Sequence, residues 1–223
     1  ARGDERRRLR APLMASIVRM IAPKRVLATL PILLLAACAT TRPPVRNAGD
    51  AVTLGLQEQR ERALGDTDHW TLEGRLSVAS DKDSGSGSLT WRQEGDHYDF
   101  TVRGPVTGRT FRLSGGPDGA ELEGLEGGTR RGPDAETLMA ETVGWQIPMA
   151  ELKRWVLGLR ADRGPADIAF GADRLPSRLV QDGWTVDYRQ WDATKQPAMP
   201  SRVFAEKPPY KVRLSIDTWS LGR

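Results

Sequence analysis

The chain has 223 residues, with 33 Lys and Arg against 29 Asp and Glu, 39% hydrophobic residues and one cysteine. Eight of the basic and two of the acidic side chains lie in residues 1–37, which leaves residues 38–223 with 25 basic and 27 acidic groups, a net charge near −2. That balance excludes a nucleic-acid-binding domain, which needs clustered Lys and Arg where only Arg130-Arg131 stands out, and the single thiol excludes a disulfide framework.

Residues 1–19 carry Arg6-Arg7-Arg8 and no initiating Met at position 1. A start at Met20, with Met14 as the runner-up, gives a leader of ordinary length, so 1–19 is expected to be a non-native upstream extension. From Met20 the order is that of an export signal: Lys24-Arg25, an apolar run from Val26 to Leu35, small Ala36-Ala37, then Cys38. The run is about half of the roughly 20 residues a spanning helix needs, so 20–37 reads as a cleaved leader. Leu35-Ala36-Ala37-Cys38 resembles a bacterial lipobox. That resemblance implies cleavage before Cys38, a diacylglycerol on its sulfur and an acyl group on its new amino end. A secretory leader with a chance cysteine is the alternative. Ala39 rather than Asp follows, which resembles the sorting rule for release to the outer membrane.

Residues 38–50 are polar and Pro-containing and read as a tether to a single domain at 51–223. Over 51–64, Val52, Leu56, Gln59/Arg60 and Ala63 are spaced for a modestly amphipathic helix. The period then becomes two. Trp70, Leu72, Gly74, Leu76 and Val78 alternate with polar residues, the loop 81–87 interrupts, and Leu89 with Trp91 resumes the pattern. Tyr98, Phe100 and Val102 follow, then Phe111 with Leu113, then Ala120 with Leu122. Helical spacing takes over at 133–143, with Leu138, Met139 and Val143, and at 148–158, with Met149, Leu152, Trp155 and Val156 before Gly158. Strands return at 175–180, 184–188, 202–206 and 210–217. About ten short antiparallel strands interrupted by two helices indicate a sandwich or barrel whose apolar face the helices cover. A curved sheet under short helices leaves a cavity wherever the helices do not fill it.

Chemistry is sparse. His69 and His97 are the only histidines; His97 sits at a turn-strand junction with no nucleophile nearby, and nothing local supports a nucleophile–base–orienter arrangement. No His/Cys pair has ligand spacing for a metal, and the glycines fall in turns rather than in a phosphate loop. No enzyme, metal or cofactor is expected. Seven Trp against three Tyr and four Phe is an unusual balance. Since a Trp N–H wants a partner, some of these rings are expected to line a partly open space while the others fill the core. Trp145 and Trp155 are the leading candidates for the open space.

A resemblance then becomes specific. Residues 85–91 (GSGSLTW), Gly104-Pro105-Val106, 145–158 (WQIPMAELKRWVLG), 183–188 (GWTVDY) and 194–200 (TKQPAMP) together resemble the outer-membrane lipoprotein receptor LolB family, in order from about Trp70 to Trp219. The resemblance implies an incomplete antiparallel β-barrel, LolA/LolB-like, with a helical lid over a hydrophobic cavity. It implies a lipid-anchored monomer that takes acylated lipoproteins from the periplasmic carrier LolA and releases them into the inner leaflet of the outer membrane, without nucleotide hydrolysis. It places a membrane-insertion loop at Pro105, Val106 and Gly108, where Val106 stands for the family's Leu and Thr107 for its Gly. The cavity lining is expected from Trp91, Phe100, Phe111, Leu138, Trp145, Met149, Leu152, Trp155, Trp184 and Tyr188. An interaction lipoprotein of an envelope assembly machine, and less so a lipoprotein hydrolase, are the alternatives.

Overall fold

The computed structural model describes residues 46–105 and 108–222. The upstream extension at 1–19, the leader at 20–37, Cys38 and the tether up to residue 45 lie outside the described residues, as do Val106 and Thr107.

Alternation of apolar and polar residues places one buried and one solvated face on each strand. Here it produces β1 (His69–Ala79), β2 (Ser84–Glu94), β3 (His97–Arg103), β4 (Thr110–Gly116), β5 (Gly119–Glu123), β6 (Arg130–Gly132), β7 (Ala166–Phe170), β8 (Pro176–Gln181), β9 (Trp184–Asp192), β10 (Met199–Lys207) and β11 (Tyr210–Leu221). They form one eleven-stranded antiparallel sheet in the order β6-β5-β4-β3-β2-β1-β11-β10-β9-β8-β7. The end strands β6 and β7 do not pair, so the barrel is unclosed. Helices α1 (Ala51–Gly65), α2 (Ala135–Val143) and α3 (Met149–Trp155) complete the described chain.

Two strands go beyond the sequence reading, and both are edges. β6 has three residues with no apolar alternation, and β7 has five. The loop expected at 81–87 is also shorter, because Ser84 to Gly87 belong to β2 and pair with β1, Val78 opposite Gly85 and Leu76 opposite Gly87. A Cβ on Gly87 would lie 2.5 Å from the Arg103 carbonyl oxygen, so the close β2–β3 approach requires glycine there.

The main core lies between the inner face of β1, β2 and β8–β11 and the helices α1 and α3. Trp70 meets Trp91 and Trp219 edge-on, with ring centroids at 5.0 and 5.6 Å. A smaller cluster of Leu113, Ala120, Leu122, Ala135 and Leu138 holds α2 against β4 and β5. Phe100 and Met149 pack against both clusters.

The expected stripe of α1 holds only at Arg60. Thr53, Gln57, Arg60 and Leu64 face inward, whereas Val52 and Leu56 are 58% and 42% exposed. The reason is hydrogen bonding. The turn after α3 leaves carbonyls without helical partners, and Arg60 Nη2 donates to Leu157 O at 2.6 Å while Gln57 Nε2 donates to Gly158 O at 3.2 Å. The Arg60 guanidinium also stacks 4.7 Å from the Trp191 ring centroid. Burial pulls its pKa down to about 10, which leaves it charged at neutral pH.

Candidate functional site

The inner face of β1–β5 is wider than its helical cover can fill, and a cavity of about 620 Å³ remains between the two core clusters. Its sheet wall is Leu76 and Val78 of β1, Phe100 and Val102 of β3, Phe111 and Leu113 of β4, Leu122 of β5 and Val212 of β11. Its cover is Met139 and Val143 of α2, Trp145 and Ile147 of the connection, and Met149 and Leu152 of α3. The void has a sequence cause. Gly85 occupies an inward position of β2 where Leu89 and Trp91, farther along the same strand, send large side chains into the core. A Cβ at Gly85 would meet only Trp145 Cη2 at 3.6 Å and Val78 at 4.0 Å, ordinary contact distances, so the space in front of it is open.

Polar groups are confined to the rim. Asp83, Ser84 and Ser86 stand on one side, and Arg109 pairs with Glu126 at 2.9 Å on the other. Apolar walls with a charged rim suit a ligand with a long hydrocarbon part and a polar end that stays outside. Neither histidine lines this space. Both are exposed, and His69 Nδ1 lies 2.5 Å from Asp68 Oδ1. Among the described residues no group of three or more His, Cys, Asp or Glu could hold a metal ion, and no helix is long and apolar enough to cross a membrane.

Phe100, Phe111, Trp145, Met149 and Leu152 stand in the cavity wall. The other five expected lining residues are elsewhere. Trp155 is wholly buried because its Nε1–H finds a partner in the core, the Gln181 Oε1 at 3.2 Å. Trp184 packs on Trp155 with centroids at 6.1 Å. The Tyr188 hydroxyl donates to Trp155 O at 3.0 Å, and burial raises its pKa. Trp91 is enclosed between Trp70 and Phe100, and Leu138 is spent holding α2. Trp145, by contrast, is half-buried at the cavity and reaches the open space by Gly85. Sequence reasoning missed Leu76, Val78, Val102, Leu113, Leu122, Met139, Val143, Ile147 and Val212 as lining. All but Ile147 were in the alternating or helical patterns, and the missing information was which stretch of each element faces the gap.

Of the expected insertion loop, Pro105 and Gly108 are exposed, while Val106 lies outside the described residues. The loop borders the cavity, since Gly104 and Arg109 line it.

Comparison with known proteins adds the family. The family model described as "Outer membrane lipoprotein LolB" matches residues 68–219. The chain is 36% identical over 200 residues to an outer-membrane lipoprotein LolB of Xanthomonas axonopodis pv. citri, covering 84% of this chain and 92% of that one. It is 38% identical over 199 residues to the LolB of Alkalilimnicola ehrlichii, covering 88% and 96%. A crystal structure of a LolA superfamily protein from Nitrosomonas europaea superposes with a TM-score of 0.44 and 11% identity, over 77% of this chain and 94% of that one.

Proposed function

The chain belongs to the outer membrane lipoprotein LolB family, and on that premise we propose that it is the lipid-anchored receptor that accepts acylated lipoproteins from a LolA-like periplasmic carrier and releases them into the inner leaflet of the outer membrane. The observation that carries the reading is the apolar cavity of about 620 Å³ under a helical cover. An interaction lipoprotein with a fully packed interior would have no use for such a space.

The physics of the cargo sets the task. Each methylene withdrawn from water contributes about 0.8 kcal/mol, so one sixteen-carbon chain carries about 13 kcal/mol of hydrophobic free energy. Such a chain needs apolar enclosure at each stage of transit. Transfer without nucleotide hydrolysis must run downhill, so the cavity holds the chain more tightly than the carrier does and less favourably than the bilayer. Enclosure by Phe100, Trp145 and Met149 supplies the first condition, and the open, charged rim limits the second.

Loading requires the cover to move, and the two lid helices are not equally held. α3 sends Leu152 and Trp155 into the main core, whereas α2 rests on the small second cluster. α2 ends at Gly144 in the left-handed conformation at φ 72°, a glycine cap whose N–H bonds back to Ala140 O. α2 is therefore the part that opens. Cys38, with its diacylglycerol and N-acyl group, is the anchor, and Val106 on the β3–β4 loop is the apolar tip that meets the membrane. The test is transfer from a preloaded carrier. The reading expects the acylated lipoprotein to pass to this protein and then to vesicles without ATP. Retention on the carrier at equal concentrations overturns it.

A further inference from the structure

The outer face of the sheet carries charge unevenly. Across β2–β6 Arg92 pairs with Glu94, Arg112 with Asp99 and Glu123, and Arg131 with Glu121, while Arg103, opposite Ser88 at the groove side of β3, makes no ion pair among the described residues. Across β1 and β8–β11 the balance fails. Asp187 alone serves Arg46, Arg178 and Arg189, at 2.8, 2.9 and 3.0 Å. Arg75, Arg202 and Arg213 make no ion pair among the described residues. Among the other carboxylates on these strands, Glu206 is taken by Lys211 at 3.4 Å, Asp192 accepts from Thr194 beyond the end of β9, and Glu73 stands at the far end of the patch opposite Thr218. Asp217 of β11, two residues past Ser215, is exposed and does not line the groove.

Strand register gathers these three side chains. Ser215 of β11 lies opposite both Arg75 of β1 and Arg202 of β10, while Arg213 lies opposite Phe204. Together they line a groove of about 420 Å³, with serine hydroxyls of β1, β2 and β11 between them and no carboxylate in its wall. The Phe204 ring sits beneath two guanidinium groups, with Arg213 at 5.4 Å and Arg189 at 5.5 Å from its centroid, which holds them in place. Guanidinium forks and hydroxyls converging without a counter-charge suit a phosphate oxyanion.

Two neighbours say which phosphate. Pro105 forms part of the groove wall, while Gly104 and Arg109 of the same loop line the acyl cavity, so one loop borders both. Arg46, pinned to Asp187 on this face, is eight residues from Cys38. At about 3.5 Å per residue, that length holds the face within about 28 Å of a membrane in which Cys38 is anchored.

We infer that the arginine groove docks on the phosphate headgroups of anionic phospholipid in the anchoring membrane and thereby turns the β3–β4 loop, and with it the cavity rim, toward the bilayer. The proposal rests on the receptor reading for the membrane concerned. It adds a headgroup site on the outer face, distinct from the cavity that takes the acyl chains.

The experiment uses the mature chain with Cys38→Ala, so that no acyl anchor contributes, and no lipoprotein. Vesicles of phosphatidylcholine alone are compared with vesicles in which about a third of the lipid is phosphatidylglycerol. The proposal expects sedimentation with the anionic vesicles only, weakening as salt rises. It expects Arg75→Gln/Arg202→Gln/Arg213→Gln to lower binding about a hundredfold, three charges at about fivefold each. Arg92→Gln/Arg112→Gln/Arg131→Gln, in the balanced half, is expected to change it less than about fivefold. Equal binding to both vesicles overturns the proposal, as does a groove variant that binds like the parent. So does saturation by inorganic phosphate in a protein that ignores vesicles, which would make this a free-phosphate site, and so does capture of an acidic protein in place of lipid. Because no cargo is present, these failures leave transfer from the carrier untouched. Failed transfer with intact vesicle binding removes the receptor reading instead.

Discussion

Gly85→Leu shortens the acyl chain that the cavity can enclose. A methylene is close in size to a water molecule, whose share of liquid volume is about 30 Å³. The cavity of about 620 Å³ therefore has room for about twenty such groups, which is one long chain and not the three of a triacylated lipoprotein. Affinity for a series of free fatty acids or fluorescent acyl probes is expected to rise about fourfold per added carbon, the equivalent of about 0.8 kcal/mol, and to level off near twenty carbons. A Cβ at position 85 fits without a clash, and the rest of a leucine side chain points into the void beside Trp145. It adds four methylene-sized groups, about 120 Å³ at the same share per group, so the plateau moves to about sixteen carbons with the slope unchanged. Gly87→Leu serves as the contrast, because its Cβ would meet the Arg103 carbonyl at 2.5 Å and the change disrupts β2 instead. Isothermal titration across chain lengths, with thermal melting as a fold check, gives the answer. A folded Gly85→Leu protein with its plateau still near twenty carbons would refute this placement of the acyl site.

Three further outcomes follow from the geometry and a fourth from the proposed membrane loop. Leu138→Ala removes the largest anchor of α2 and costs about 3 kcal/mol locally, so hydrogen exchange in 135–143 quickens while β9–β11 stay protected. Gln181→Leu leaves the Trp155 Nε1–H and the Ala161 N–H without acceptors and destabilises the domain by about 4 kcal/mol, at roughly 2 for each donor, measured by urea unfolding. Glu61 is held below its ordinary value of 4.5; burial acts to raise it, and hydrogen bonds from Arg160 and Gln57 outweigh that. A carboxylate lowered on folding contributes stability above its unfolded pKa and loses it as pH falls through the folded value. The Tm gap between the parent and Glu61→Gln is therefore present at pH 7 and closes in acid below 4.5. If Val106 meets the membrane as proposed, Val106→Glu is expected to accept lipoprotein from the carrier but to release it poorly, because a charge in the bilayer interior costs about 2.5 kcal/mol or more, and vesicle incorporation after transfer reads the difference.

The antiparallel fold was legible wherever burial is one-sided. The alternations at Trp70–Val78 and Val212–Ile216 each place every second residue in the core, and both became strands in the expected frame. β6 and β7 were illegible because an edge strand of three to five residues carries no repeated pattern. α1 was misread because its buried face is polar, and Arg60 is inside to satisfy carbonyls nearly a hundred residues away. Trp155 shows the same limit. The tryptophan N–H argued for a partly open space, but its acceptor lies 26 residues on, and no local pattern pairs them. The place of the expected cavity was hidden by the residue that opens it, since Gly85 read as part of a loop when the neighbouring strand in fact aligns it in β2. The arginine groove is the extreme case. Arg75, Arg202 and Arg213 are dispersed in the sequence, and only strand register brings them together.

The claim that acyl chains enter the space between the sheet and α2–α3 is tested most directly by photocrosslinking. A lipoprotein whose fatty acid ends in a diazirine is transferred from the carrier, irradiated, and the labelled residues are mapped by mass spectrometry. The account predicts label on the walls at Phe100, Trp145 and Met149, reduced by Gly85→Leu for the longest chains. Label concentrated on Phe204 of the outer face, or on the exposed Val52 and Leu54 of α1, would contradict it.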